Sequence, residues 1–247
     1  MGLGLAAAHA CLKAGGNVLI CARDMSQLRS AAAELHGIGP DRVEAMAADV
    51  TVVAELDAAF DRLESKFGPV TSLVHAAAVL GPIGEFTGVD PEQWLETVRI
   101  DLFGTFLAAR QACLRMKRNG GRIVLFAGGG ASAPFPEFSA YASSKAGVVR
   151  LTETIAREMA SYKIEANCVA PGLVMTRMAE RIFEAGHAPA VSAVPATLGA
   201  ETAAFLISDL AAGITGKFVA AQYDGWREWP QRLGELGGSD LFTLRRI

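Results

Sequence analysis

The sequence has few of the features that mark several common classes of protein. Its 247 residues contain four cysteines and no C-x-x-C pair, so neither a disulfide framework nor a zinc site is expected, and free thiols in a reducing compartment are the simpler interpretation. The 23 Lys and Arg residues are balanced by 26 Asp and Glu residues, which gives no support for nucleic-acid binding. No run of about 18 apolar residues escapes proline, glycine or charge. We therefore expect a cytoplasmic protein with neither nucleic-acid nor membrane partners.

Short apolar runs alternate with longer amphipathic ones along the whole chain. Apolar residues make up 51% and charged residues 20% of the chain, which indicates a folded protein with a sizeable core. Uninterrupted apolar runs are typical of strands covered on both faces, and their alternation with helices predicts a doubly wound parallel α/β sheet in a single domain, 1–247. The predicted strands are 17–22, 43–48, 71–77, 122–127, 164–170 and 217–223. The predicted helices are 26–36 with Ser26 as N-cap, 52–67, 91–118, 138–162 and 200–209.

Two segments lie outside this alternation. Residues 177–199 contain Gly186, Pro189 and Pro195 and follow a predicted strand end, where either a substrate lid or an ordinary surface loop is expected. Residues 224–247 form a tail with Trp226 and Trp229, which can anchor a subunit contact, cover a cleft or pack on their own domain.

The sharpest chemical signal is Tyr141 followed by Lys145 within a predicted helix. Residues four apart share one helix face, so the phenol and the ammonium can point into the same cleft. A nearby cation favours the phenolate and lowers the pKa of a tyrosine, which suits it to proton transfer near neutral pH. A pair with this spacing also occurs by chance on helix surfaces, so the surrounding residues decide its meaning.

Those surrounding residues form an ordered pattern. The strand before the pair ends in a glycine-rich turn at 125–130, residues 167–176 read N-x-x-x-P-G-x-x-x-T, and Ala-Asp-Val at 48–50 follows an earlier strand. In order and spacing, these motifs resemble the short-chain dehydrogenase/reductase family over nearly the whole chain. The resemblance implies a Rossmann-like domain that transfers a hydride between a nicotinamide cofactor and a carbonyl or secondary-alcohol substrate.

The resemblance also implies roles for individual residues. Tyr141 gives or takes the proton at the substrate oxygen, and Lys145 holds the nicotinamide ribose and tunes Tyr141. Asp49 and Val50 lie beside the adenine, and residues 171–176 line the nicotinamide. The cofactor-binding residues implied in full are Gly2, Leu3, Gly4, Arg23, Asp49, Val50, Ala76, Ala77, Tyr141, Lys145, Pro171, Gly172, Val174 and Thr176. The long helices 91–118 and 138–162 are those through which relatives form a homodimer or homotetramer.

The residues after the first predicted strand bear on the choice of cofactor. Relatives that prefer NAD tend to carry an acidic residue where this chain has Ala22, and Arg23 follows directly. An arginine can pair with a 2′-phosphate, which favours NADP, with NAD as the alternative. The adjacent Asp24 weakens this preference, and an exposed Arg23 without a specific partner is the other interpretation.

The amino terminus departs from the family pattern. Gly2-Leu3-Gly4 matches only the last two glycines of T-G-x-x-x-G-x-G, and the first strand, the threonine and the first glycine, about a dozen residues, are absent. Because that strand is central in the order 3-2-1-4-5-6, its absence is expected to leave an empty slot between two unpaired strands. We expect either that Met1 is internal to a longer natural chain or that this chain is an unstable or rearranged truncated product.

Three catalytic positions also depart from the pattern. Gly128 stands where relatives have the catalytic serine, and Ser132 is a candidate to replace it if the glycine turn folds back. Asp101 stands where relatives have a catalytic asparagine; it can accept from a relay water, but its charge opposes the lowering of the Tyr141 pKa. His75-Ala76-Ala77-Ala78 replaces N-N-A-G, and His75 is interpreted as a packed histidine rather than a catalytic base.

Three hypotheses follow for function. The first is an NADP-linked oxidoreductase, and the second is a catalytically impaired nucleotide-binding relative that acts as a partner subunit. The third is that the chain as written forms no working site. The substrate is not identified. Residues in and beside the predicted lid indicate only a partly apolar ligand: Met175, Met178, Ile182, Phe183 and His187.

Overall fold

A computed structural model describes residues 2–187 and 191–244 of the chain. Met1, Pro189 of the predicted lid and residues 245–247 of the predicted tail lie outside these ranges. The strands are β1 (Val18–Ala22), β2 (Val43–Ala47), β3 (Ser72–His75), β4 (Gly121–Phe126), β5 (Ile164–Ala170), β6 (Leu173–Val174), β7 (Ala193–Val194) and β8 (Phe218–Ala220). The α-helices are α1 (Leu3–Lys13), α2 (Met25–His36), α3 (Val53–Phe67), α4 (Pro91–Val98), α5 (Gly104–Met116), α6 (Ser139–Glu158), α7 (Arg177–Glu184), α8 (Ala196–Leu206) and α9 (Leu233–Leu236).

The main strands are parallel, as the alternation of strands and helices predicts. One sheet has the order β3-β4-β5-β8, and β1 pairs with β2 in a second sheet with Val18 opposite Val43. A third, two-stranded pair joins β6 to β7. The predicted α/β class with a parallel, Rossmann-like sheet is therefore confirmed.

A cavity of about 1790 Å³ lies between β1 and β3 and continues to the carboxyl ends of both strands. Its walls include both strands and apolar faces of α1 and α3, among them Ala8, Leu56 and Phe60. Within the described ranges, neither β1 nor β3 has a partner strand on this side. Two parallel strand edges therefore face one cavity, in the place where the sequence predicts an open slot.

The core is centred on β4 and β5, which have neighbouring strands on both sides. Its largest cluster packs α5 and α6 on these strands and includes Ala112, Met116, Ile123, Leu125, Val148, Val149, Ala166 and Cys168. This rigid centre fixes the carboxyl ends of β4 and β5, where the candidate site lies.

The tail packs on its own domain within the part that is described. Trp226 and Trp229 are buried, and their indole N–H groups donate to the carbonyls of Ala221 and Asp224 at 3.1 Å each. The buried Lys217 ammonium donates to the carbonyl oxygens of Ser239 and Leu241 at 2.8 and 3.0 Å. Of the three interpretations of the tail, the structure therefore supports packing on the same domain.

The structure corrects two local predictions and adds a helix to the segment 177–199. Ser26 is not the N-cap of α2: Asp24 is, and its carboxylate accepts from the backbone N–H of Ser26 at 2.9 Å. The predicted helix 91–118 divides into α4 and α5 around a π-helical turn, Arg99–Phe103. The predicted lid contains α7, whose N-terminus is capped by Thr176. In residues 2–187 and 191–244, we find no helix with the length and apolarity needed to cross a bilayer.

Candidate active site

Tyr141 and Lys145 lie one turn apart at the start of α6 and on the same side of it. The Lys145 ammonium lies 5.5 Å from the centre of the Tyr141 ring and donates to the carbonyl oxygen of Phe126, the last residue of β4, at 3.1 Å. Lys145 is buried and Tyr141 is half-buried. The structure therefore brings the two side chains together at the carboxyl end of the central strand β4.

The electrostatics of this pair differ from the sequence expectation. The pKa of Tyr141 is raised above its ordinary value, first because the group is buried and second because the negative charge of Asp101 opposes ionisation. Burial lowers the pKa of Lys145, while the charge of Asp101 acts in the opposite direction. The net shift is thus opposite in direction to the lowering expected from Lys145, because burial is its largest cause.

Asp101 lies in the π-helical turn between α4 and α5, a type of distortion that is frequent at functional sites. Its Oδ1 accepts from the backbone N–H of Val79 at 2.8 Å, and its Oδ2 is buried with no hydrogen-bond partner among the described residues. Burial raises the pKa of Asp101 to about 6, against the lowering effects of Lys145 and of the Val79 hydrogen bond. A carboxylate that titrates close to neutral pH therefore lies beside the Tyr141–Lys145 pair.

His75 ends β3 and is buried, with Nε2 unpaired among the described groups. Burial, and next the positive charge of Lys145, lower its pKa to about 4, so the imidazole is neutral at pH 7. A neutral, enclosed imidazole agrees with the interpretation of His75 as a packed residue.

The structure places Gly128 and Ser132 differently with respect to Tyr141. A Cβ atom built on Gly128 would lie 2.9 Å from the Tyr141 hydroxyl oxygen. Ser132 is exposed and its hydroxyl donates to the carbonyl of Gly129 at 3.3 Å, within its own turn. Position 128 therefore adjoins the phenol, whereas the hydroxyl of Ser132 is occupied in the turn.

The beginning of α1 lies between two loops at the carboxyl ends of the strands. Gly2 is its N-cap, with φ of 79°, and a Cβ there would lie 3.7 Å from the Thr176 side chain. A Cβ at Gly4 would lie 3.6 Å from that of Ala76, and Ala77 follows in the same loop and lines the cavity. A helix N-terminus with glycines at a groove is suited to bind phosphate through its backbone N–H groups. The residues present here thus fit a dinucleotide.

The remaining predicted cofactor residues lie near α8 and the β6–β7 pair. Leu3 and Pro171 both approach Gly199 of α8, and Gly172 has φ of 85° with Val194 nearby. Val174 belongs to β6. Residues 171–176 thus lead from the end of β5 through β6 to the start of α7.

At the other end of the groove, Arg23 and Asp49 face each other. Their nearest charged atoms are 3.8 Å apart, and the Asp49 carboxylate accepts from the backbone and hydroxyl of Thr51, which lowers its pKa. Val50 packs against Gly104, where an added Cβ would meet its side chain at 2.7 Å. Arg23, Asp49 and Val50 thus cluster after β1 and β2, as expected for the adenosine end of a dinucleotide site.

Sequence reasoning missed two features of the site. An apolar cluster beside Tyr141 joins Leu80, Phe138 and Ile182, and His187 packs edge-on against Phe138 with ring centres 5.1 Å apart. Gln27 accepts a hydrogen bond from Arg177 across the groove. No sequence signal marked Leu80 or Gln27, since neither lies in a recognisable motif.

Comparison with known proteins identifies the class. A family model described as enoyl-(acyl carrier protein) reductase matches residues 1–223. The chain belongs to the short-chain dehydrogenase/reductase family and is an NAD(P)-dependent oxidoreductase of the alcohol and carbonyl type.

Individual relatives cover most of the chain. It is 31% identical to 2-(S)-hydroxypropyl-CoM dehydrogenase 3 of Xanthobacter autotrophicus, over 87% of this chain and 89% of that protein. It is 33% identical to the inactive 2-(S)-hydroxypropyl-CoM dehydrogenase 2 of the same organism, over 85% and 94%. A crystal structure of a variant actinorhodin polyketide ketoreductase with NADPH superposes with a TM-score of 0.82 at 30% identity, over 89% and 90% of the two chains.

Proposed function

We propose that the protein reduces a carbonyl or oxidises a secondary alcohol with NADP, and that Tyr141 exchanges the proton at the substrate oxygen. The observation that carries this proposal is the adjacent Tyr141–Lys145 pair at the carboxyl end of β4, where Lys145 lies 5.5 Å from the centre of the phenol ring. When bound, the nicotinamide would supply the hydride for carbonyl reduction or accept it in alcohol oxidation. The small-molecule substrate then lies against the apolar cluster of Leu80, Phe138 and Ile182.

The proton step uses Tyr141 in either direction: its phenol donates to a carbonyl oxygen in reduction, and its phenolate accepts the proton of an alcohol in oxidation. Because burial and Asp101 raise the pKa of Tyr141, the phenol stays protonated at neutral pH. A protonated phenol donates to a carbonyl oxygen, which is the step that reduction requires. Lys145 holds the nicotinamide ribose in this proposal. Asp101 is a positioning residue, because its negative charge acts on the pKa values of Tyr141 and Lys145.

Support for NADP comes from the contacts of Asp24 and Arg23. Asp24 accepts from the backbone N–H groups of Ser26 and Gln27 and from the Gln27 side chain, so its carboxylate is directed into the first turn of α2. Arg23 is 57% exposed at the groove. Asp24, the acidic residue that weakened the preference for NADP, thus caps α2. The Arg23 guanidinium stays accessible to a 2′-phosphate.

A second candidate is an impaired relative that binds the nucleotide and acts as a partner subunit. Gly128 offers no side-chain donor to a substrate oxygen, and loss of one such donor costs about 10²–10³ in rate. One relative at 33% identity is named inactive. We favour the active enzyme, because Tyr141 and Lys145 are both present and adjacent.

We propose a homodimer or homotetramer, and a cytoplasmic location. The outer face of α5 exposes Phe106 and Leu114, and Phe106 stacks on the exposed Phe103 with ring centres 6.1 Å apart. Exposed apolar side chains in one row along a helix are suited to a subunit contact.

The proposal is tested by following NADPH absorbance with the purified chain over a panel of ketones and aldehydes. Turnover of at least one carbonyl, with NADPH preferred over NADH, is the expected result. NADPH binding without turnover of any compound supports the impaired relative. Absence of binding to both dinucleotides contradicts both candidates.

A further inference from the structure

Helix α7 connects the substrate side of the groove to its adenosine end. Its cap, Thr176, packs beside Gly2 at the start of α1, and Arg177 is its first residue. One turn later, the Arg181 guanidinium donates to the carbonyl of Gly81 at 3.2 Å on the substrate side. The two arginines of this helix therefore extend in different directions across the site.

Arg177 reaches the first turn of α2. Its Nη2 donates to Oε1 of Gln27 at 2.6 Å, across 150 residues of sequence. The Nε2 of the same Gln27 side chain donates to Asp24 at 2.6 Å. Because the Gln27 amide is held at both ends, its oxygen is fixed towards Arg177.

Two guanidinium groups, with the carboxylates of Asp24 and Asp49, lie at one end of the cavity. Arg23, Gln27 and Arg177 line the same cavity. The Asp24 carboxylate is occupied by three donors from the first turn of α2, and Arg23 faces Asp49 at 3.8 Å. Among the described residues, Arg177 makes no ion pair, and its one side-chain hydrogen bond goes to a neutral amide. A guanidinium held by a neutral acceptor keeps its charge and its remaining N–H groups available for an anion.

We propose that Arg177 is a second ligand of the 2′-phosphate of NADP, opposite Arg23, with Gln27 as its positioning residue. The inference rests on the proposed use of NADP. The 2′-phosphate is favoured over the diphosphate because Arg177 is tied to α2, which begins two residues after Arg23. The diphosphate is instead expected at Gly2 and Gly4, where α1 begins.

The contact would also couple the choice between NADP and NAD to the position of α7. Since Arg177 opens α7, a phosphate between Arg177 and Arg23 would join this helix to the end of β1. Helix α7 would then be held more firmly by NADP than by NAD, because only NADP carries the bridging group.

The test compares Arg177→Ala with Arg181→Ala as a matched control on the same helix. Binding of NADPH and NADH to each variant is titrated by quenching of tryptophan fluorescence. We expect Arg177→Ala to weaken NADPH binding about 10–100-fold and NADH binding less than about 3-fold. Arg181→Ala is expected to change both affinities less than about 3-fold. Equal weakening of NADPH and NADH by Arg177→Ala, or no weakening at all, overturns the proposal.

Gln27→Ala tests the positioning role through selectivity. Gln27→Ala is expected to lower the preference for NADPH over NADH about 3–10-fold. In a chain that already carries Arg177→Ala, it is expected to cause no further loss of that preference. An additive loss in the double variant contradicts a role through Arg177.

Two further measurements separate this inference from the proposed function. If the unaltered chain binds neither dinucleotide, the proposed function fails. If it prefers NADPH and Arg23→Ala abolishes the preference while Arg177→Ala does not, NADP use is supported and only the role of Arg177 is refuted. Thermal melts of each variant confirm that the affinities are those of folded protein.

Discussion

The hydroxyl oxygen of Tyr141 lies 2.9 Å from the point where a Cβ on Gly128 would stand. The backbone of Gly128 is extended, with φ of −173°, so the conformation itself accepts any residue. A side chain at position 128 would therefore cause no backbone strain, but it would occupy space beside the phenol. The phenol oxygen lies in the volume that a serine side chain would need.

Gly128→Ser is expected to lower kcat about 10–100-fold in the active enzyme. The added Cβ must displace the Tyr141 hydroxyl, and a misplacement of about 1 Å at a reacting group can cost about 100-fold. Gly129→Ser is the matched control, since a Cβ there meets nothing within 4 Å, and it is expected to change kcat less than about 2-fold. A large gain in kcat from Gly128→Ser would instead favour the impaired relative.

Asp101→Asn is expected to stabilise the protein at pH 7 but not at pH 4. The folded-state pKa of this carboxyl is raised to about 6 from 3.8, so the folded form binds its proton more tightly than the unfolded form does. The ionised Asp101 carboxylate therefore lowers the free energy of unfolding by up to about 3 kcal/mol. This effect is absent below pH 4 and complete above pH 6. Urea unfolding at both pH values measures it, and a difference that is equal at pH 4 and pH 7 would refute the assignment.

The same substitution is expected to change the pH dependence of alcohol oxidation. Oxidation needs the phenolate of Tyr141, and Asp101 raises the pKa of that phenol. Removal of the charge lowers the Tyr141 pKa, so the rise of kcat with pH moves to lower pH in Asp101→Asn. An unchanged profile in a variant that still binds NADPH would show that Asp101 does not act on the phenol.

An appended strand is expected to occupy the cavity between β1 and β3. The extension tested is about a dozen residues placed before Gly2, with an apolar strand and a Thr-Gly turn. Each large apolar side chain it buries stabilises by about 1.5–3 kcal/mol, so several together raise Tm by roughly 10 °C or more. An extension with prolines at alternate strand positions is the control. Equal Tm values for the unextended chain and both extended chains would contradict this account of the cavity.

The fold could be predicted largely from apolar periodicity. The strand β5, Ile164–Ala170, has the predicted bounds, and other main strands differ from theirs by a few residues at most. The N-cap of α2 was predicted two residues late, because Ser26 is a good cap by residue type and only the backbone geometry selects Asp24. The π-helical turn at Arg99–Phe103 shifts a few hydrogen bonds within one helical sequence, and this has no pattern in the residue types.

The site could be predicted where residues lie close in sequence and not where folding brings them together. The spacing of Tyr141 and Lys145 alone places them on one face of α6. By contrast, the contact of Arg177 with Gln27 joins residues 150 positions apart. The sign of the Tyr141 pKa shift was mispredicted, because it depends on burial by surrounding elements that the local motif does not contain.

The most direct test of the account is the kcat of Tyr141→Phe for carbonyl reduction at saturating NADPH, with the Kd for NADPH measured alongside. The variant keeps the ring and loses only the hydroxyl. The account predicts that kcat falls about 10²–10⁴-fold while the Kd for NADPH changes less than about 3-fold. A variant that turns over its substrate at the rate of the unaltered protein would contradict it.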